Sequence, residues 1–134
     1  MTKNTYLLAS RLEDVIFLIQ HLGLGEHYSL ERGKAADGVS PRSGPTWEAV
    51  ARDHPEFFRV LESGSVTLAY RYYLREKGNP PKLPDELVQR LVENAIALQE
   101  RQAKRSEVWK VWGTFIAAVV AAILGLAQLA VGQK

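Results

Sequence analysis

The feature that most constrains this chain is a run without charged residues near its carboxyl end. Residues 111–132 read VWGTFIAAVVAAILGLAQLAVG, and no Asp, Glu, Lys or Arg occurs between Lys110 and Lys134. As a helix rising about 1.5 Å per residue, this run is roughly 33 Å long, which matches the hydrocarbon core of a bilayer. The rest of the chain is too short to enclose such a helix on all sides. The sequence therefore predicts a single transmembrane helix over 111–132.

The residues that precede this run are typical of a membrane edge. Indole rings concentrate at the membrane–water interface, and Trp109 and Trp112 lie there in the sequence. The basic side chains of the predicted juxtamembrane segment 104–110 are Lys104, Arg105 and Lys110. Because basic flanks stay in the cytoplasm, we expect a tail-anchored, single-pass protein whose N-terminal domain is cytoplasmic, on the inner membrane if the source is bacterial.

Small residues recur every fourth position within the run, at Gly113, Ala117, Ala121 and Gly125. Such a strip lets two helix backbones approach closely in lipid. An alanine-rich span also produces this spacing by chance. The strip indicates a homo-oligomer with helix–helix contact in the membrane, and the chance alternative stays open.

Residues 1–103 make up the predicted soluble domain. Their acidic and basic side chains nearly cancel, so this part is not a polycation of the nucleic-acid-binding kind. The chain has no cysteine, which excludes a disulfide framework and thiolate chemistry. The first apolar run is too short for a signal peptide, so we expect no cleaved targeting segment.

Periodicity in the first half of this domain predicts two helices joined by a long loop. Apolar residues at helical spacing indicate a helix over 6–22, and Gly23 and Gly25 mark its end. Residues 23–45 show neither a helical nor a strand period, which predicts a mobile loop. Thr46 is a good cap for a second helix over 47–53, which Pro55 ends.

The second half predicts a hairpin followed by a long helix. Residues 57–61 and 66–74 are rich in β-branched and aromatic side chains and are separated by Glu-Ser-Gly-Ser at 62–65, which favours two antiparallel strands. A competing interpretation makes 66–77 a helix capped by Ser65. No Gly or Pro interrupts residues 85–112, so we expect one helix to leave the domain and continue into the membrane.

Helix, long loop, short helix, hairpin and closing helix together resemble a reduced winged-helix arrangement, so the expected fold class is α+β. The runs that carry a further resemblance are TWEAVARDHPEFFRV at 46–60, VTLAYRY at 66–72 and QERQAKR at 99–105. In these runs the chain is similar to a group of uncharacterised bacterial single-span membrane proteins with a winged-helix-like cytoplasmic domain. The resemblance covers about residues 46–132 and implies no activity.

No arrangement of residues indicates an enzyme. The histidines His21, His27 and His54 do not have the paired helical spacing with which a helix binds zinc. The glycines at 23, 25 and 33 lack the further glycines and the preceding strand of a phosphate-binding loop. We therefore expect no catalytic residues, no bound metal and no cofactor.

The remaining signal is a set of aromatic residues and arginines that suits a protein-binding surface. We expect about four of the six aromatic residues Trp47, Phe57, Phe58, Tyr70, Tyr72 and Tyr73 to be core. The residues of the predicted partner surface are Arg59, Arg71, Tyr73 and Arg75. We do not expect nucleic acid as a partner, because the short second helix offers one arginine, Arg52, beside two acids.

These observations predict a membrane-tethered interaction module whose protein partner the sequence does not name. The alternative is a membrane-active small protein, a toxin-like or pore-forming oligomer, although Thr114 and Gln128 are the only polar side chains of the span. A membrane-anchored nucleic-acid-binding protein ranks below both.

Overall fold

The computed structural model describes residues 5–74 and 81–132 and divides the chain into two compact units, Met1–Glu100 and Arg101–Lys134. The fold is α+β, as expected, with a small antiparallel sheet and a long C-terminal helix. The elements are a 3-10 helix Thr5–Leu7, α1 Arg11–Leu24, β1 Ser29–Leu30, α2 Trp47–Arg52, β2 Phe58–Val60, β3 Val66–Leu68, α3 Ala69–Tyr73 and α4 Asp85–Gly132.

The first predicted helix is interrupted at Ser10. This residue has a left-handed backbone with φ 63°, and the Arg11 N–H donates to the Leu8 carbonyl at 3.0 Å, which closes a turn between the 3-10 helix and α1. The expectation of one helix from residue 6 is therefore wrong at its start. Its apolar stripe is confirmed within α1 but not at Leu8, which is exposed, and α1 buries four side chains in the core. They are Val15, Leu18, Ile19 and Leu22.

Residues 23–45, predicted as a mobile loop, contain regular structure at β1. Ser29 and Leu30 pair antiparallel with Thr67 and Val66, which puts β3 in the middle of the sheet order β1–β3–β2. The later part of the segment is also attached, because the Trp47 indole N–H donates to the Val39 carbonyl at 2.8 Å. The β1–β3 pairing joins residues far apart in sequence, so no local period could indicate it.

The hairpin and its helical alternative are each correct over part of the sequence. β2 pairs with β3 so that Arg59 lies opposite Thr67, and the turn places Gly64 at φ 87°, a backbone conformation that favours glycine. β3 ends at Leu68 and α3 follows at once, so the predicted strand beyond Leu68 is wrong. Residues 75–77 of the alternative helix lie outside the described residues.

The structure confirms the two helices whose start signals were clear. The Thr46 hydroxyl accepts the Ala49 N–H at 3.1 Å and caps α2. α4 begins at Asp85, as expected from the preceding Pro84, and runs for 48 residues. Its first turns pack on the core through an apolar stripe. The fully buried members are Val88 and Ala95, and the partly buried ones are Leu87, Leu91, Val92 and Leu98.

The end of α1 is held by a buried arginine. The Arg71 side chain, 1% exposed, donates from Nη1 to the carbonyls of Leu22 at 2.9 Å and Gly25 at 2.7 Å. The last carbonyls of a helix have no intrahelical donor, and a cation at this end also opposes the negative pole of the helix dipole. The Leu83 N–H adds a bond to the Gly23 carbonyl at 2.9 Å. α3 and the start of α4 are thereby both fixed to the same turn of α1.

Replacing Arg71 by methionine should therefore destabilise the domain strongly. Arg71→Met keeps an apolar stem of similar length but leaves buried carbonyls without donors, and we expect a loss of about 2–4 kcal/mol in the free energy of unfolding. Urea denaturation followed by circular dichroism measures it. The matched control is Arg59→Met, which removes an exposed arginine and should cost about 0.5–1 kcal/mol through its contact with Tyr72. Equal effects of the two substitutions would contradict the assigned role.

Candidate functional site

The predicted partner surface keeps two of its four residues at the surface. The Arg59 guanidinium is exposed and lies 4.6 Å from the centre of the Tyr72 ring, over its face. Tyr73 is 69% exposed, and its ring contacts the edge of Tyr72 at a centroid separation of 6.3 Å. Tyr72 itself is buried. Arg59 and Tyr73 thus border the same buried ring.

The other two members of that surface are not available as predicted. Arg71 is buried and bonded to the end of α1, so its assignment to a partner surface is wrong. The physical reason is that the strand predicted over 66–74 turns into a helix at Ala69, which rotates Arg71 inwards. Arg75 lies outside the described residues.

The helical α3 creates an exposed face that a strand would not have. Tyr70, Tyr73 and Leu74 follow i, i+3, i+4 spacing and are 49%, 69% and 44% exposed, respectively. Of the six aromatic residues considered, four are buried and Tyr70 and Tyr73 are exposed, which confirms the expected division. Arg59 on β2 contacts Tyr72 of the same helix. Together with the face Tyr70/Tyr73/Leu74 it supplies residue types that are common at binding hot spots.

A buried polar network lies beneath the N-terminal segment and was missed by sequence reasoning. Arg11 donates to the Asp53 carboxylate at 2.9 Å and to the Ser43 hydroxyl at 2.8 Å. The Asp14 carboxylate accepts the N–H groups of Arg42 at 3.0 Å and Ser43 at 2.7 Å. Arg11 and Asp14 thereby fix residues 42–43 against α1. One signal could have found them, because both residues share helical spacing with the buried Leu18 of the apolar stripe.

His54 extends this network and is completely buried. Its Nε2 lies 3.4 Å from Arg11 Nη1, and its Nδ1 lies 3.1 Å from Glu56 Oε1. Because a guanidinium can only donate, Nε2 must be the acceptor, and Nδ1 carries the proton that is donated to Glu56. The Tyr6 hydroxyl donates to the same carboxylate oxygen, and its ring lies 4.4 Å from the His54 ring.

The network also sets the acidity of its exposed end. Burial acts to raise the pKa of Glu56, but the hydrogen bonds from His54 and Tyr6 outweigh it, so that the pKa lies below its ordinary value of 4.5. Burial and the neighbouring Glu56 carboxylate raise the pKa of the Tyr6 hydroxyl, which keeps it a donor at neutral pH. The residues are locked to one another, and this arrangement is typical of a structural network.

A cleft of about 390 Å³ lies between the end of α1 and residues 26–37. His21 Nδ1 and Asp37 Oδ2 are 3.1 Å apart on its wall, and Lys34 pairs with Glu31 at 2.9 Å. His21 thus lies beside the end of α1 and is paired locally. Among the residues that the structure describes, no group of three or more His, Cys, Asp or Glu side chains could hold a metal ion.

The unit Arg101–Lys134 exposes nearly all of the apolar side chains that the structure describes there. The described residues of 111–126 are all exposed, including Trp112, Phe115 and Leu126. α4 is long and apolar enough to cross a membrane, and it is the only such helix within the described part of the chain. Gly113 and Gly125 have no neighbouring atom within 4 Å of an added Cβ, so their strip faces outwards.

The predicted membrane-edge residues whose side chains the structure describes lie at the surface. Lys104, Arg105 and Trp112 are exposed. The side chains of Trp109 and Lys110 lie outside the described ones.

Comparison of the chain with protein-family models, curated proteins and solved structures finds no match.

The Glu56 contacts predict a pH-dependent contribution to stability. A carboxyl whose folded pKa is lowered stabilises the fold above its unfolded pKa, and this stabilisation is lost as pH falls through the folded value. The difference in unfolding free energy between the parent chain and Glu56→Gln should therefore be largest above about pH 5 and shrink towards acid. Urea titrations at several pH values measure it. Glu86→Gln removes the same charge from an exposed helix position, and an equal pH dependence in both variants would contradict the prediction.

Proposed function

We propose that this chain is a membrane-anchored interaction module, in which a cytoplasmic α+β domain is displayed by a single transmembrane helix. The observation that carries the proposal is the exposure of the apolar residues in 111–126, all of which are exposed in the described part of the unit Arg101–Lys134. A continuous apolar surface of this size does not stay in water on a soluble protein. A run of about 20 apolar residues fits the thickness of a bilayer.

Neighbouring features support the proposed orientation and domain type. Lys104, Arg105 and Lys110 precede the span and favour a cytoplasmic domain. We propose a reduced winged-helix arrangement, which the sheet order β1–β3–β2 and the position of α2 just before the hairpin support. Nucleic-acid binding is disfavoured, because Arg52 on α2 is paired with Glu48 at 2.6 Å. A phosphate would have to compete with that carboxylate.

The partner surface that we propose is the α3 face Tyr70/Tyr73/Leu74 together with Arg59. Tyrosine and arginine are frequent in protein-binding hot spots, and three large side chains on one turn offer a compact apolar contact. The partner is another protein chain. Nothing in this face suggests a reaction, and we propose no enzymatic activity.

The second candidate is a membrane-active oligomer, which would assemble through the strip Gly113/Ala117/Ala121/Gly125. Both candidates share self-association through this strip, which is outward-facing and free of steric cover within the chain. In the membrane-active candidate the span itself acts on the membrane, whereas in the module the soluble domain binds the partner. The polar side chains of the span are Thr114 and Gln128, and two are too few to line a wet pore. The module is therefore the better supported function.

Membrane attachment is tested by fractionation of cells that express the full chain. We expect the protein in the membrane pellet after alkaline carbonate extraction, and the fragment 1–100 in the soluble fraction with a cooperative unfolding transition, because its core is internal to that unit. Val119→Arg with Ile123→Arg should release the full chain, since each arginine costs about 2.5–3.5 kcal/mol at the centre of a span. The matched control is Val119→Leu with Ile123→Leu. Retention of the arginine variant in the pellet would rule out a spanning helix.

Self-association is tested by bulky substitutions on and off the strip. Ala121→Ile and Gly125→Ile should lower the signal of a membrane two-hybrid assay, because a β-branched side chain blocks close approach of two backbones. Val119→Ile and Val120→Ile should leave it unchanged. Equal effects at all four positions would show that the small-residue spacing is a chance result of an alanine-rich span. Loss of growth inhibition or ion leakage in the strip variants would favour the membrane-active candidate instead.

A further inference from the structure

The first turns of the unit Arg101–Lys134 carry a basic patch on one side of the helix. Arg101, Lys104 and Arg105 are all exposed and follow i, i+3, i+4 spacing, so they lie on one helical face. Residues 101–110 contain four basic and one acidic side chain, a net charge of +3. Glu107 is the acid, one turn after Lys104. The basic patch, defined as Arg101/Lys104/Arg105, therefore stays cationic despite its acidic neighbour.

The basic patch continues into apolar surface along the same face. Successive positions 101, 105, 108 and 112 are close to one another around a helix of 3.6 residues per turn, which puts Trp112 in line with the arginines. The Trp112 ring packs edge-on against Phe115 at a centroid separation of 6.0 Å, and both rings are exposed. This face thus changes from cationic to aromatic and apolar over about 10 Å of helix, at 1.5 Å per residue from Arg105 to Trp112.

A shallow groove joins the two kinds of surface. It has a volume of about 370 Å³ and is lined by Lys104, Glu107, Val111 and Trp112. Lys104 therefore lies at one end, with the Glu107 carboxylate one turn further on, and the apolar side chains of Val111 and Trp112 lie at the other end. A phospholipid has the same order of groups, a charged phosphodiester followed by glycerol and hydrocarbon. The polar part of each leaflet is roughly 5–7 Å thick, so the cations lie within about one Debye length of the phosphates.

We propose that the basic patch and this groove bind the phosphodiester headgroups of anionic phospholipids, so that the protein recruits acidic lipid around its anchor. This rests on the proposed membrane span and adds a lipid preference to it. A zwitterionic headgroup offers the same phosphate, but its own ammonium group cancels the attraction to a cluster of three cations. The net negative charge of the headgroup is therefore what the patch selects.

The experiment is a lipid competition on the full chain in nanodiscs. Brominated phosphatidylglycerol or brominated phosphatidylcholine is mixed with its unbrominated counterpart, and quenching of tryptophan emission reports which lipid lies next to the helix. Trp47 is buried in the domain core and contributes a constant background, so the change reports on Trp109 and Trp112. We expect phosphatidylglycerol to be preferred at least about fivefold, the effect of one cation near an anionic surface.

Two variants of the full chain test the role of the basic patch. Arg101→Gln, Lys104→Gln and Arg105→Gln combined should bring the preference close to one, while Arg90→Gln, an exposed arginine in the other unit, should leave it intact. Quenching that is equal for both lipids in the parent chain would overturn the lipid preference and leave the membrane span standing. No quenching by either lipid would overturn the span as well. Displacement by inorganic phosphate beyond that of chloride at equal ionic strength would show that a free anion occupies the groove and would overturn the assignment to lipid.

Discussion

The hydrogen bonds from Arg71 to the last turn of α1 are the interaction on which the arrangement of the domain depends. A helix ends with carbonyls that need donors, and here those carbonyls are buried where water does not supply them. Arg71 donates to Leu22 and Gly25, and the Leu83 N–H donates to Gly23. Space is also limited at this point, because a Cβ on Gly23 would come within 2.9 Å of a Val88 methyl group. The polar requirement of α1 and the apolar packing of α4 are therefore met at the same turn.

The two units of the chain differ in where their described apolar side chains lie. In Met1–Glu100 most of the described large apolar side chains gather in one core, and the buried charges of Arg11, Asp14 and Arg71 each have partners. In Arg101–Lys134 the described apolar side chains of 111–126 are exposed, an arrangement that is unfavourable in water and favourable in hydrocarbon. The proposed function and the proposed lipid preference both follow from this contrast, since the second unit has a cationic end followed by an apolar one.

Elements that depend on neighbours in sequence could be predicted, and those that depend on distant residues could not. The cap at Thr46, the start of α4 after Pro84 and the apolar stripe of α1 are local signals, and all three are present. β1 has two residues and exists because β3 pairs with it, so no period revealed it. Arg71 was predicted at a surface because the in-and-out alternation of a strand was extended past Leu68. The chain is helical there instead, since this buries Tyr72 and lets Arg71 donate to the carbonyls at the end of α1. The buried network around His54 was hidden for the same reason, as its members come from three separate segments.

The break at Ser10 separates a short strap, Thr5–Leu7, from the helix that follows it. Tyr6 is buried, stacks at a tilt on His54 and donates to Glu56, so the strap covers the junction between α2 and β2 from outside. Removal of the first seven residues would leave α1 intact but would open a hole of the size of a tyrosine ring above a histidine that water does not otherwise reach. Fusion tags therefore belong before residue 5 with a flexible spacer, and shortened versions of the domain that begin at α1 would lack part of its outer wall.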